Sequence, residues 1–434
     1  MTVAEVRLWG RTIAAVSWDA DRGIANFEYE PSFIPTGRQV APLTMPLSDG
    51  IHSFPALPRQ TFAGLPGLLA DSLPDRFGNA LIDAWLARQG RSPGDFNSVE
   101  RLCYIGTRGM GALEFAPALG PTLREAAAID VAALVDLASE ILTRRADLAG
   151  SFETPRRRKA LQDILRVGTS AGGARAKAII AWNPRTDEVR SGQIAAGDGF
   201  THWLLKFDGV SGNRDRELED PQGYGLIEYA YHAMAREAGM HMNECRILRE
   251  NGRNHFMTRR FDRTDAGRKL HMQSLCAMAH YDFNQPGAYS YEQALRVIDR
   301  LGLSKEAVEE QFRRMTFNIV ARNQDDHAKN IAFLMDRSGR WSLSPAFDVT
   351  YSYNPTGRWT GTHQMTLNGK RDGFAAGDFV ACAQNAAMKR GRATEILREV
   401  QHAVSRWDEF AERAGVPDQT ARAIAATHRT GLLR

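Results

Sequence analysis

The chain opens with apolar residues in short alternating runs, EVRLWG, TIAAVSW and IANFEYEP, separated by GR and DADRG. Alternation of period two broken by turn residues predicts a small antiparallel meander, because successive side chains on a strand point to opposite faces. The period then changes. In FAGLPGLLADSLPDRFGNALIDAWLARQG, Pro and Gly punctuate the first half, while Leu81, Ile82, Trp85 and Leu86 recur at helical spacing in the second. Gly90 is the expected helix stop. RLCYIGTRGMGALEFAP follows, with Gly106, Gly109 and Gly111 ahead of a strand-like end, and TLREAAAIDVAALVDLASEILTRRADL reads as helix.

After the charged connector SFETPRRRK, strand signals return from about 160 to 275 in AKAIIAW, HWLLKFD, ECRILRE and NHFMTRRFD. One helical insertion, PQGYGLIEYAYHAMAREAG, ends at Gly239. Beyond 288 helices dominate, beginning with SYEQALRVIDRLG, where Ser290 and Gln293 make a capping-box pair and Gly302 follows the end. The expected organisation is α+β, with a β-rich N-terminal subdomain over 1–150, a nucleotide-binding lobe over 151–285 and a helical lobe over 286–434. Neither internal repeats nor low-complexity tracts occur.

Composition changes little in this picture. The 434 residues suit two or three domains, and 43% hydrophobic with 24% charged residues is ordinary for a folded soluble chain. A net charge of +4 is too mild to indicate nucleic acid. Four cysteines far apart, without a CxxC pair, support neither a zinc ribbon nor a disulfide framework. Without an export-signal pattern or a long apolar run, the expected setting is the reducing cytoplasm, off the membrane.

Candidate chemistry gathers in three places. GTSAGGARAKAII, at 168–180, runs from a glycine-rich turn into a strand and fails both the Walker A and the GxGxxG spacing. The backbone N–H groups around Gly168, Gly172 and Gly173, beside Arg175 and Lys177, could approach phosphate oxygens. Taken alone, a hairpin turn that needs positive φ is the simpler account. In HWLLKFDG, Lys206 ends an apolar run where a strand lysine could grip ATP phosphates, with Glu228 as its candidate partner; an edge-strand lysine is an equally common finding.

The third place is NQDDHAKN, 323–330, after the helix-like MTFNIVA. From Asp325 to Asn330 the spacing is D-x-x-x-x-N, that of a protein-kinase catalytic loop, in which the aspartate takes the proton of the attacking hydroxyl and the asparagine ligates magnesium. SPAFDVTYS then places Asp348 after an apolar pair, and IAFLMDRSGRWSLS between them reads as strand, turn, strand. A hairpin there should return Asp348 to Asn330, giving two oxygen ligands for Mg²⁺. A solvated polar turn would explain the composition of NQDDHAKN but not the returning aspartate.

At this point the chain resembles the HipA-type serine/threonine kinase toxins of bacterial type II toxin–antitoxin systems. FEYEPSFI, FAGLPGLLADSLPDRFGNALI and YIGTRGMGALEFAP resemble that family's N-terminal subdomain. SAGGARAKA, LLKFDG, RRFDR, DDHAKN and FDVTYS resemble its kinase core. The resemblance implies a two-lobed protein-kinase-like fold using ATP and Mg²⁺. It makes Lys206 the ATP-phosphate lysine, Asp325 the catalytic base, and Asn330 and Asp348 the metal ligands. Gly172, Gly173, Ala174 and Lys177 fall in the loop over the nucleotide. Arg259 and Phe261 fall in the hinge holding adenine, with Asp262 close to the ribose; Arg259 replaces a carboxylate of some relatives, which leaves backbone contacts intact. Ser170, with Thr169 beside it, falls on the autophosphorylated serine whose modification turns such enzymes off. The implied partners are a protein substrate, with an aminoacyl-tRNA synthetase as first guess, and a HipB-type antitoxin through which DNA is reached indirectly.

Asp326 has no assigned role, and the spacing favours Asp325 over it as the base. The rival readings are a small-molecule phosphotransferase with the same ATP machinery, a vestigial antitoxin or DNA-complex component supported by the basic clusters TPRRRK, NGKRDG and MKRGR, and a metal hydrolase built on His327. Intact Lys206, Asp325, Asn330 and Asp348 argue against the second. A lone histidine without a spaced partner argues against the third.

Overall fold

The structure is a computed structural model and describes residues 2–87, 89–120, 128–143, 159, 163–165, 167–168, 175–193, 196–210, 214–215, 218–219, 223–264 and 266–433. The chain divides into two compact units: Met1–Gln222 with Leu248–Met272 and Met335–Gly339, and Gly223–Ile247 with Gln273–Leu334 and Arg340–Arg434.

The first unit holds the expected meander. Strands β1 (Thr2–Leu8), β2 (Arg11–Asp19) and β3 (Ile24–Tyr29) pair antiparallel in sequence, β4 (Ile51–Ser53) adds to β3, and β5 (Leu113–Ala116) pairs with β1. Ala4, Val6 and Leu8 on β1, Ala14 and Val16 on β2, and Ala25, Phe27 and Tyr29 on β3 are buried, as alternation requires. The helix Arg76–Ala87 buries Leu81, Ile82 and Leu86, and Gly90 adopts φ +70° beyond its end.

The second sheet of this unit has the order β11-β12-β8-β6-β7, from β6 (Lys177–Asn183), β7 (Glu188–Ser191), β8 (Thr201–Lys206), β11 (Cys245–Glu250) and β12 (Arg253–Arg259); β9 (Arg214–Asp215) and β10 (Leu218–Glu219) form a separate short pair. Strand β6 is buried along its whole length, as its run of consecutive apolar residues predicts for a central strand. Phe77 and Leu81 of the N-terminal helix, Val135 and Ile141 of the helix Val131–Thr143, and Ile180, Trp203, Leu205 and Met257 of the sheet share one hydrophobic core. Among the described residues that helix begins at Val131, after Ala128 bridges to Arg190 as extended chain.

In the second unit the capping box at Ser290 forms as predicted, with Ser290 Oγ accepting from Gln293 N–H and Gln293 reaching back to Ser290 N–H, ahead of the helix Tyr291–Arg300. The helices Tyr224–Glu237, Lys305–Val320, Arg392–Ser405 and Trp407–Ala414 bury Tyr231, Phe312, Ile396, Val400 and Trp407, with the Tyr231 and Trp407 rings packed edge to face at 5.2 Å. A three-stranded sheet runs in the order β13 (His271–Ser274), β14 (Ala332–Met335) and β15 (Trp341–Leu343).

Candidate active site

The loop carrying NQDDHAKN begins where the helix Lys305–Val320 ends. Arg322 takes φ +58°, a left-handed conformation that stops the helix. A short 3-10 turn, Ala328–Asn330, then folds the motif back on itself, and Asn330 Nδ2 donates to the Asp325 carbonyl at 2.9 Å. That bond engages the amide nitrogen, and the side-chain oxygen is the atom a cation would take. The two ends of the expected hairpin do come together: Ser344 N–H donates to the Ala332 carbonyl at 2.9 Å, and the turn closes by Gly339 N–H to the Asp336 carbonyl at 3.0 Å. Asp348, just beyond β15, holds φ +56°. A non-glycine residue there carries backbone strain, which concentrates at functional positions. Among the described residues no group of three or more His, Cys, Asp or Glu is arranged to hold a metal. An amide and a carboxylate fit Mg²⁺, which keeps most of its ligands as water and phosphate oxygens.

The two adjacent aspartates face different surroundings. Asp325 is half-buried; its Oδ1 accepts the Trp359 indole N–H at 2.7 Å and lies 3.7 Å from His327 Nε2. Asp326 is buried completely and accepts from Tyr291 Oη at 2.5 Å, from the Gln364 N–H at 2.7 Å and from His363 Nδ1 at 2.8 Å. Burial alone would raise its carboxyl, but the hydrogen bonds from His363, Tyr291 and the Gln364 N–H hold it below the usual carboxylate range. Arg429 lies 2.9 Å from the other nitrogen of His363, and because arginine only donates, the ring proton sits on the side of Asp326. Asp326 thus anchors the loop from beneath, a role that nothing in its immediate sequence signals. His327 packs its ring on Phe283 at 5.2 Å between centroids.

In the first unit, Lys206 closes β8 directly opposite both Lys177 on β6 and Phe256 on β12, with its ammonium 5.8 Å from the Phe256 ring centroid. Two lysines paired across strands face the same side and repel. Asp75, at the start of the N-terminal helix, lies 3.0 Å from the Lys177 ammonium with both side chains almost wholly buried, which offsets that repulsion. The structure therefore places Lys177 in an ion pair. Gly172, Gly173, Ala174, Thr169 and Ser170 lie outside the described residues. Glu228 belongs to the helix Tyr224–Glu237 of the second unit and is buried.

The hinge stretch follows β12. Arg259 and Phe261 are half-buried, and between them Arg260 N–H donates to the His202 carbonyl at 2.9 Å. Asp262 is fully buried and bound by Arg260 at 2.7 Å, Arg263 at 2.8 Å and the Gly111 N–H at 2.7 Å. Burial opposes its charge, but the two guanidiniums prevail and drive its carboxyl far below the usual range. This accounts for one glycine of GTRGMG: Gly111 has φ +74°, and a Cβ there would come within 3.0 Å of the Met272 backbone nitrogen. The carboxylate that the resemblance places near a ribose ties the GTRGMG loop to the RRFDR stretch in the structure. Trp359, which touches Asp325 from 34 positions away, belongs to no recognisable motif and was not anticipated. Among the described residues no helix is long and apolar enough to cross a membrane.

The chain matches two family models, the HipA N-terminal domain over residues 4–116 and the HipA-like C-terminal domain over residues 169–407. No curated protein matches it. Among solved structures, HipA of a Shewanella oneidensis MR-1 toxin–antitoxin system, determined with HipB and operator DNA, aligns at 18% identity over 99% of this chain and 96% of its own, with a TM-score of 0.67. The Helicobacter pylori proinflammatory kinase CtkA aligns at 11% identity over 49% of this chain and 90% of its own, with a TM-score of 0.30. The first of these likenesses establishes the α+β, kinase-like fold of HipA. With the C-terminal model spanning more than half of its length and the N-terminal model preceding it, this chain belongs to the HipA family.

Proposed function

We propose that the chain is an ATP- and Mg²⁺-dependent serine/threonine protein kinase and the toxin of a cytoplasmic toxin–antitoxin pair. The observation that carries this reading is the closure of the 325–330 turn by the Asn330 amide on the Asp325 carbonyl, which puts a half-buried carboxylate and an amide oxygen on one rigid turn. Asp325 accepts the proton of the acceptor hydroxyl; a single carboxylate suffices because the proton moves late in a loose transition state. Asn330 and Asp348 are the residues that would hold Mg²⁺, which supplies charge neutralisation on the phosphates when bound. Lys206 positions those phosphates, and the backbone around Arg259 and Phe261 receives the adenine. Gly172, Gly173 and Ala174 cover the nucleotide, and Ser170, or Thr169 beside it, is the autophosphorylation site.

The acceptor is a protein serine or threonine, and the family resemblance makes a translation component such as an aminoacyl-tRNA synthetase the first candidate. The Shewanella HipA was determined with HipB and operator DNA, which supports a HipB-type antitoxin as partner here, with DNA reached through it. Incubation with radiolabelled ATP and Mg²⁺ tests the reading. Label is expected on the chain itself and absent from Asp325→Ala. Label persisting in that variant removes Asp325 from the base role. A wild-type chain that labels neither itself nor any protein of a bacterial lysate overturns the kinase reading.

A further inference from the structure

A base works only if its carboxylate is held in one rotamer, and a residue that helps hold Asp325, itself 15% exposed, comes from a different loop. Trp359 is 9% exposed, so its ring is fixed by packing, and its indole N–H, a donor only, ends on Asp325 Oδ1 at 2.7 Å. The loop that carries it is sewn to the catalytic loop on both sides of Asp325. Gln324 Nε2 donates to the Thr360 carbonyl at 3.1 Å, Gln364 Nε2 donates to the Gln324 carbonyl at 3.3 Å and to the Trp359 carbonyl, and the Gln364 N–H donates to Asp326. Gly361 lets this loop turn tightly, since a Cβ there would meet the Gly357 carbonyl oxygen at 2.5 Å.

We propose that Trp359 is a positioning residue for Asp325: its indole N–H fixes the carboxylate, so that the base is in place only when the 354–364 loop is seated. This rests on the kinase reading above. The two glutamine clamps set the height of the Trp359 backbone, the buried ring sets the direction of its N–H, and the N–H sets one oxygen of Asp325. Loss of the donor removes one of the bonds that hold the carboxylate's rotamer, and misplacement of a reacting group by about 1 Å can lower a rate about a hundredfold. In this proposal the contact acts on the base and not on the nucleotide.

Trp359→Phe keeps the ring and removes only the donor. In this variant kcat for autophosphorylation is expected to fall about tenfold to a hundredfold while KM for ATP stays within about twofold, the pattern of a contact used in the transition state. A kcat within about twofold of wild type, or a KM for ATP that rises as far as kcat falls, overturns the proposal. The contact itself is read without turnover, by following the indole proton in protein carrying isotope-labelled tryptophan. The signal missing from Trp359→Phe is expected to move and to exchange faster with solvent in Asp325→Ala. An inactive wild-type chain overturns the kinase reading, whereas an indole signal unmoved by Asp325→Ala overturns the pairing whatever the activity.

Discussion

Asp326 Oδ2 and His363 Nδ1 meet at 2.8 Å where neither side chain reaches solvent, although 37 positions separate them. This pair, continued to Arg429 and on to Asp372, fastens the 323–330 loop to the segment after Asp348 and to the C-terminal residues. It also separates the surroundings of two adjacent carboxylates that sequence alone leaves alike. Adjacent carboxylates on an extended stretch project to opposite sides. Here Asp326 turns inward onto three donors, whereas Asp325, 15% exposed, meets the Trp359 indole, which fits the proposal that Asp325 is the base.

The two aspartates should therefore separate cleanly by mutation. Asp326→Ala leaves His363 and Tyr291 with unmet buried polar groups and is expected to cost about 3–5 kcal/mol, as for breaking a buried pair. Asp325→Ala leaves one buried indole N–H unpaired and is expected to cost about 1–3 kcal/mol, less than Asp326→Ala, while abolishing phosphoryl transfer. Urea unfolding of the two variants compares them directly, and equal losses would refute the division of roles.

Lys177 and Asp75 give a second test, because removing one partner of a buried ion pair is far more harmful than removing both. Lys177→Met is expected to lose about 3–5 kcal/mol, and Lys177→Met with Asp75→Leu to recover most of it. If Lys177 also contacts ATP, KM for ATP stays raised in the double variant after stability has returned. A double variant no more stable than the single one would show that the pair is not what holds Lys177.

Stability should fall between neutral and mildly acid pH. Burial pushes His271 down to about 4, and burial with the nearby Arg322 charge pushes His428 down to about 4. Both stay neutral in the folded chain while the unfolded chain takes up their protons near pH 6.5, so the unfolded state binds more protons and stability drops as pH falls from about 6.5 towards 4. For the fully buried His271 the loss at pH 5.5 is on the order of 1 kcal/mol. Unfolding midpoints across that range, with His271→Gln flattening the curve, check the sign; a midpoint that rises on acidification contradicts it.

Expression in a bacterium without a partner should slow growth, and Asp348→Ala should relieve the effect. The substitution removes a proposed metal ligand whose φ of +56° already marks a constrained position. Growth curves with matched expression decide it. Equal toxicity of wild type and variant would sink the kinase-toxin account.

Local pattern by itself determined much of this protein. Alternation sets out β1 to β3, helical spacing sets out Arg76–Ala87, and the Ser290–Gln293 box marks where a helix begins, because each depends on residues only a few positions apart. The D-x-x-x-x-N spacing and the hairpin leading to Asp348 were legible for the same reason. Tertiary structure alone decided what the charged side chains touch. Asp262 is claimed by two arginines and Gly111, Lys177 by Asp75, Asp326 by His363, and Asp325 by a tryptophan 34 positions away. Nothing local encodes those choices: a buried charge must find its partner wherever the packed core brings one within hydrogen-bond reach, and that is a property of the folded chain.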